Sequence, residues 1–370
     1  MAWFRRSSAP PAAPDFGEVD DFDVLVDEAD WARVASNDDE SESPEEFDAD
    51  LPTRRLTPKP KEPEAEVQAD ELIIAEEVLL PDAGQQALVD EMLPIVLAYA
   101  LEHQPAPTSF PTLARRALAK RAPELEDLFR IAAEDVAIGA AILRAANSPL
   151  FYRGNQIDGT RNAVSLLGQV SSGQIVTGVA SRALFDLQTR AEYDLFPHAF
   201  NQLFHHAMTT AMTAAWLCER KRLPYGDRAF SGGLFANVGK LVALRALSAL
   251  VLAGRVPHPM PEVVVARILD KVHVEVGAAF HKRWSLPDEL WQICSMHHDA
   301  EVPVGTQFTT LHMVRVASGL DELRIDPVMN AGVAPETRQS IRALGLSKPD
   351  IVALSVRLGE IASYVTTTFG

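Results

Sequence analysis

From about residue 84 to the end of this 370-residue chain, apolar residues recur at intervals of three and four and almost never alternate. Leu88, Met92, Ile95, Val96 and Tyr99 set the pattern. One face of a helix has that period, whereas a half-buried strand needs a period of two. The spacing restricts the chain to an all-α fold, a bundle of several packed helices. Helix punctuation agrees. Asp135 precedes the stripe Val136, Ile138, Ile142 and Leu143 as an N-cap, and Asn147, Ser148 and Pro149 end that helix. Thr160 reads as the cap of a helix over 162–167, with Gly168 closing it. Further helices are expected over 199–220, 228–253, 261–283, 287–298, 306–322, 335–344 and 348–367. Neither G-x-G-x-x-G nor G-K-[ST] occurs, and there is no internal repeat.

Charge divides the chain more sharply than hydropathy does. Residues 1–80 hold 7 Lys+Arg and 23 Asp+Glu, so most of the net charge of -17 lies there. The remainder holds 27 and 28 and is nearly neutral. Residues 1–70 mix Pro, Ser and acids and bury too little apolar surface to offset their ordering entropy, so a disordered acidic tail is expected. Within it Phe22, Val24, Leu25, Val26 and Trp31 form an apolar patch. That patch is either incidental or a docking segment for a basic, grooved protein partner. Residues 71–106 read as an N-terminal helical segment packing on the body.

The neutral body lacks the basic excess of a stand-alone nucleic-acid binder. Two cysteines, Cys218 and Cys294, make no disulfide framework and no thiolate zinc site, which suits a reducing compartment. The first residues show no apolar leader segment, and the apolar stretch 233–253 is interrupted by Lys240 and Arg245. A buried helix, no membrane span and a cytoplasmic location are the expectations. Trp284 and Trp291, seven apart, read as one core or interface stripe, and Met208 and Met212 as core filling.

Histidine is the residue type with catalytic potential. His205, His206, His273, His281, His297 and His298 are spread over four helical segments. A bundle can bring such residues to one metal, although a helical histidine is more often surface or satisfied core.

Several motifs stand in a telling order: Pro111-Thr-Leu, the segment Asp135–Phe151, Asn162–Gly168, Phe204-His-His-Ala, Gly233–Leu241, His273–Ala278, Trp284-Ser-Leu-Pro287 and His297-His298. Residues 107–300 thereby resemble an HDOD domain, a degenerate relative of the HD metal-dependent phosphohydrolases. The resemblance implies an HD-like helical bundle, with residues 301–370 completing it. Its hallmark residues here are Asp135, Asn147, Ser148, Gly168, Gly233, Gly239, Lys240, Trp284 and Pro287.

The departure from the hydrolases matters most. Where they carry adjacent His and Asp metal ligands, this chain has Ala236 and Asn237. A methyl group cannot ligate, and a neutral amide is a poor substitute for a carboxylate. His206, Asn237, His273, His297 and His298 are then a vestigial site, with no catalytic residue, no metal and no cofactor expected. His298-Asp299 is a literal His-Asp pair in the wrong context, at a helix end. The resemblance implies a non-enzymatic output or scaffold protein of bacterial signal transduction that binds a protein partner or small ligand. Two rivals are a phosphodiesterase using those five residues and a cyclic-dinucleotide receptor without hydrolysis, with Arg115 and Arg116 as anion contacts. A helix-turn-helix over 335–367 is weak, because Arg357 is the one base of its second helix.

Overall fold

The computed structural model describes residues 81–105, 124–152, 154–185, 189–325 and 333–369. The patch Phe22–Trp31, the Pro111 motif and Arg115-Arg116 lie outside the described residues. The described residues form helices and no strand.

Helix α1 (Ala83–Glu102) starts at a reciprocal cap in which Asp82 accepts from the Gln85 backbone and the Gln85 side chain accepts from the Asp82 backbone. Helix α2 (Leu125–Glu134) leads through Asp135 into α3 (Val136–Ala146). Asp135 Oδ1 accepts from Ala137 and Ile138 N–H at 2.9 and 3.0 Å, the N-cap its position predicts. Helix α4 (Thr160–Phe185) includes Thr160 as its first residue and does not end at Gly168. Gly168 has φ 75°, a left-handed conformation open to glycine, and it joins two helical stretches at a kink.

The central hairpin follows a short α5 (Arg190–Leu195). Helix α6 (Pro197–Arg220) is buried along most of its length and packs on α7 (Gly226–Ala236). The expected single helix over 228–253 is two, α7 and α8 (Val238–Leu252), hinged at Asn237 with φ -103° and ψ 18°. The apolar stretch 226–252 is long enough to cross a membrane, but 78% of its most apolar window is buried in the molecule. Helices α9 (Glu262–Arg283) and α10 (Asp288–Met296) then pack on each other around Gly277. After residue 300, α11 (Thr309–Ile325) lies along α6 and α7, α12 (Pro335–Ala343) lies on α11, and α13 (Lys348–Phe369) returns to α6.

Two apolar clusters fill the interior. One joins α1–α4 and α8–α9 to one side of α6, through Phe200, Phe204 and Met208. The other joins α11–α13 to its opposite side, through Ala214, Leu217 and Cys218. Helix α6 has no exposed long face because both clusters claim it.

Candidate functional site

Two close helix approaches build the polar centre. A Cβ on Gly233 would come within 2.6 Å of Ala211 Cα, so α7 can touch the α6 backbone only without a side chain there. A Cβ on Gly239 would collide with the His273 carbonyl, so α8 crosses α9 at backbone contact. These approaches hold the hinge residue Asn237 between His206 of α6 and the first turn of α8, and they set Lys240 against α9.

One half of the centre surrounds His206, which is buried. Its Nδ1 donates to Asp321 Oδ2 at 2.8 Å, and its Nε2 lies 3.7 Å from Glu322 Oε1. Asn237 Nδ2 faces that nitrogen at 3.4 Å and Ser318 Oγ at 3.2 Å. Asp321 is fully buried and also accepts from Arg324 Nε at 2.9 Å. Glu322 approaches Ser318 Oγ to 3.3 Å.

The other half lies between α8, α9 and the end of α10. Lys240 Nζ meets Asp270 Oδ1 at 2.8 Å. Burial opposes the ammonium charge, yet Asp270 and Glu322 outweigh it and hold Lys240 above its ordinary value. Burial likewise opposes ionisation of Asp270, and Lys240 overcomes it, so that carboxyl is held low. His273 Nδ1 bonds the Asp270 carbonyl at 2.9 Å, and His297 Nδ1 bonds the Cys294 carbonyl at 2.8 Å. The two Nε2 atoms face each other at 3.3 Å. Burial, with neighbouring charge adding to it, pushes both imidazoles well below the usual histidine range, so both rings are neutral. His298 completes a set whose candidate ligand atoms lie within 4.8 Å of one another. The helix-end position expected for His298-Asp299 is real, because His297 is the C-cap of α10; the same turn carries His298 to His273.

The structure therefore brings His206 to Asn237, and His273 to His297 and His298. Lys240 acts electrostatically on both halves. Sequence reasoning missed Ser318, Asp321, Glu322 and Asp270. A signal for three of them existed: Ser318, Asp321 and Glu322 are spaced three and four apart and so share one face of their helix.

Other hallmark residues are architectural. Asn147 Nδ2 donates to the Leu143 and Ile157 carbonyls at 2.9 and 2.7 Å, and Oδ1 accepts from Ile157 N–H at 2.8 Å. Ser148 Oγ donates to the Ala145 carbonyl. Both residues thus staple the loop after α3 back to its end. Pro287 precedes α10 as its N-cap. Met208 and Met212 are buried in the core. The expected Trp284–Trp291 stripe does not form: Trp284 stacks on Phe280 and donates to the Pro105 carbonyl, whereas Trp291 is 46% exposed. Trp291 lines a groove of about 500 Å³ with Tyr225, Arg228, Glu289 and Gln307.

Comparison with the hydrolases turns on the dyad positions. Ala236 is buried in the same apolar cluster as Ala214 and Val314 and carries only a methyl group. Asn237 presents an amide directed at His206, while Lys240 engages the carboxylate of Asp270. A methyl group and a neutral amide at these two positions supply no carboxylate to a divalent cation.

Solved structures show the same fold. An HDOD domain protein with unknown function from Geobacter sulfurreducens matches at 22% identity and a TM-score of 0.53, covering 74% of this chain and 97% of its own. A provisionally named metal-dependent phosphohydrolase from Shewanella amazonensis SB2B matches at 19% identity and 0.51, covering 75% and 99%. A provisionally named signal transduction protein from Marinobacter aquaeolei VT8 matches at 17% and 0.51, covering 80% and 69%. Comparison with curated proteins finds no match. The HDOD domain family model matches residues 105–300, more than half of the sequence, and the chain therefore belongs to the HDOD domain family.

Proposed function

We propose that this protein is a non-enzymatic output or scaffold module of bacterial signal transduction that works by binding a protein partner. The observation that carries this reading is the pair Ala236–Asn237 at the dyad positions, beside the Lys240–Asp270 ion pair. Water is activated by a metal held open to it, and the dyad that would hold such a metal is replaced by a methyl group and an amide. His206 is instead bonded through Nδ1 to Asp321, with its Nε2 directed at Asn237. Its role here is packing and polar satisfaction. One relative of shared fold bears the name of a signal transduction protein, in keeping with this reading.

The test is hydrolysis by the full chain. Purified protein with added Mn²⁺, Fe²⁺ or Mg²⁺ is expected to cleave neither bis(p-nitrophenyl) phosphate nor cyclic dinucleotides above a protein-free blank. Turnover that disappears in His206→Ala while the fold is retained overturns the proposal in favour of a phosphodiesterase.

A further inference from the structure

We infer that the groove between α7, α10 and the turn before α11 receives an arginine side chain of a protein partner, stacked on Trp291 and paired with Asp288. The inference rests on the partner-binding role proposed above and names the chemistry of the partner.

Packing builds the groove, and no histidine lines it. A Cβ on Gly232 of α7 would come within 2.6 Å of Ile293 Cδ1 of α10, so the two helices meet there at close range. One turn back along each helix, Arg228 and Glu289 face one another at 3.6 Å. Beyond them, Tyr225 and Asp288 bound the groove on either side. The 3₁₀ turn Thr306–Phe308 and the first turn of α11 close it, anchored by the buried Phe308 and Thr310. A space of about 500 Å³ between walls fixed in this way admits a side chain without rearrangement.

The walls select the occupant. Trp291 is exposed at the cavity, and a tryptophan so placed is the residue type that most often anchors an interface. Asp288 lies three residues before it on α10, so carboxylate and indole are neighbours on one helix surface. Two carboxylates and one cation line the groove. The cation, Arg228, is engaged with Glu289, and its guanidinium carbon lies 5.9 Å from the centre of the Tyr225 ring. Asp288 has no ion pair among the described residues. A guanidinium between an aromatic ring and a carboxylate is therefore already seated on the α7 side. The α10 side offers the same combination, Trp291 with Asp288, to a cation from outside. Arginine suits it better than lysine: a planar guanidinium stacks on indole and bonds a carboxylate through two N–H groups, whereas an ammonium is a compact, strongly hydrated charge. An acidic segment would meet Asp288 and Glu289 and be repelled.

The experiment uses the full chain and fluorescein-labelled peptides of equal length in which Ala alternates with Arg, Lys or Glu, read by fluorescence anisotropy at physiological ionic strength. The arginine peptide is expected to bind, the glutamate peptide to stay free, and the lysine peptide to bind about fivefold more weakly than the arginine peptide. Trp291→Ala should weaken the arginine peptide about tenfold, and Asp288→Asn about threefold. Both positions are exposed, so both variants should keep the circular dichroism spectrum and melting temperature of the wild type. The acidic residues 1–80 attract any polycation, and the lysine peptide and Trp291→Ala measure that background. Equal binding of the arginine and lysine peptides overturns the site, as does arginine binding that is absent or unchanged in Trp291→Ala. Should Trp291→Ala unfold, Asp288→Asn and the arginine-to-lysine ratio decide. Each of these failures leaves the non-enzymatic reading standing, because only turnover in the hydrolysis assay removes that one.

Discussion

Burial at single residues gives this bundle a definite response to acid. His281 lies on α9 against the edge of Phe235, and burial pushes its imidazole from 6.5 down to about 4. A histidine that is neutral when folded and takes a proton readily when unfolded stabilises the fold fully above pH 6.5 and loses that contribution as pH falls towards 4. The shift corresponds to about 3 kcal/mol. Urea unfolding between pH 7 and 4 should therefore show a steeper loss of stability in the wild type than in His281→Leu, by about that amount. Parallel pH profiles for the two proteins would mean that the imidazole is solvated. Asn147 shows how far one residue can be read in advance: its place after an apolar stripe announces a helix end, but its grip on Ile157 does not follow from that place.

Between elements, backbone contact decides which helices can neighbour one another. Gly239 permits α8 to touch α9 at His273 and Gly277, and that crossing sets Lys240 against Asp270. Gly239→Ala should cost roughly 1–3 kcal/mol, because the helices must separate to admit a methyl group. Gly173, in the second stretch of α4, has open space where a Cβ would go. Gly173→Ala should stabilise by about 0.5–1 kcal/mol through helix propensity. Chemical denaturation of the two variants separates a packing glycine from a permissive one; equal effects would contradict the crossing geometry. The hinge between α7 and α8 belongs to this scale as well. Periodicity runs through Asn237 without interruption, so a single helix was the natural reading of 228–253. The break arises because the chain must lie against α6 before it and α9 after it.

At the scale of the whole molecule, the matched region and the cooperative unit differ. The family match stops at residue 300, yet α11 supplies Leu311, Val314 and Ala317 to the cluster around Leu217 and Cys218, and Asp321 to His206. A fragment limited to 105–300 should thus expose that apolar face, bind a hydrophobic dye and lose its cooperative thermal transition. Removing residues 1–65 should leave helical content and melting temperature unchanged while shedding most of the net charge, since those residues are acidic and poor in apolar groups. Circular dichroism of both fragments checks the pair of expectations, and a cooperative melt of 105–300 at the full-chain temperature would remove α11 from the folding unit.

Local information in the sequence sufficed for the helical class, most helix ends, the HDOD resemblance and the identity of Ala236 and Asn237, because periods, caps and motifs are written along the chain. Only the tertiary structure decided that Asp321 holds His206, 115 positions away, and that His297 meets His273 across 24. It also decided that Lys240 is clamped by Asp270. Those meetings depend on how helices pack at backbone contact and on which side chains fill the space between them. Distance in space between two helices is set by that packing and has no counterpart in the spacing of residues along one strand of sequence.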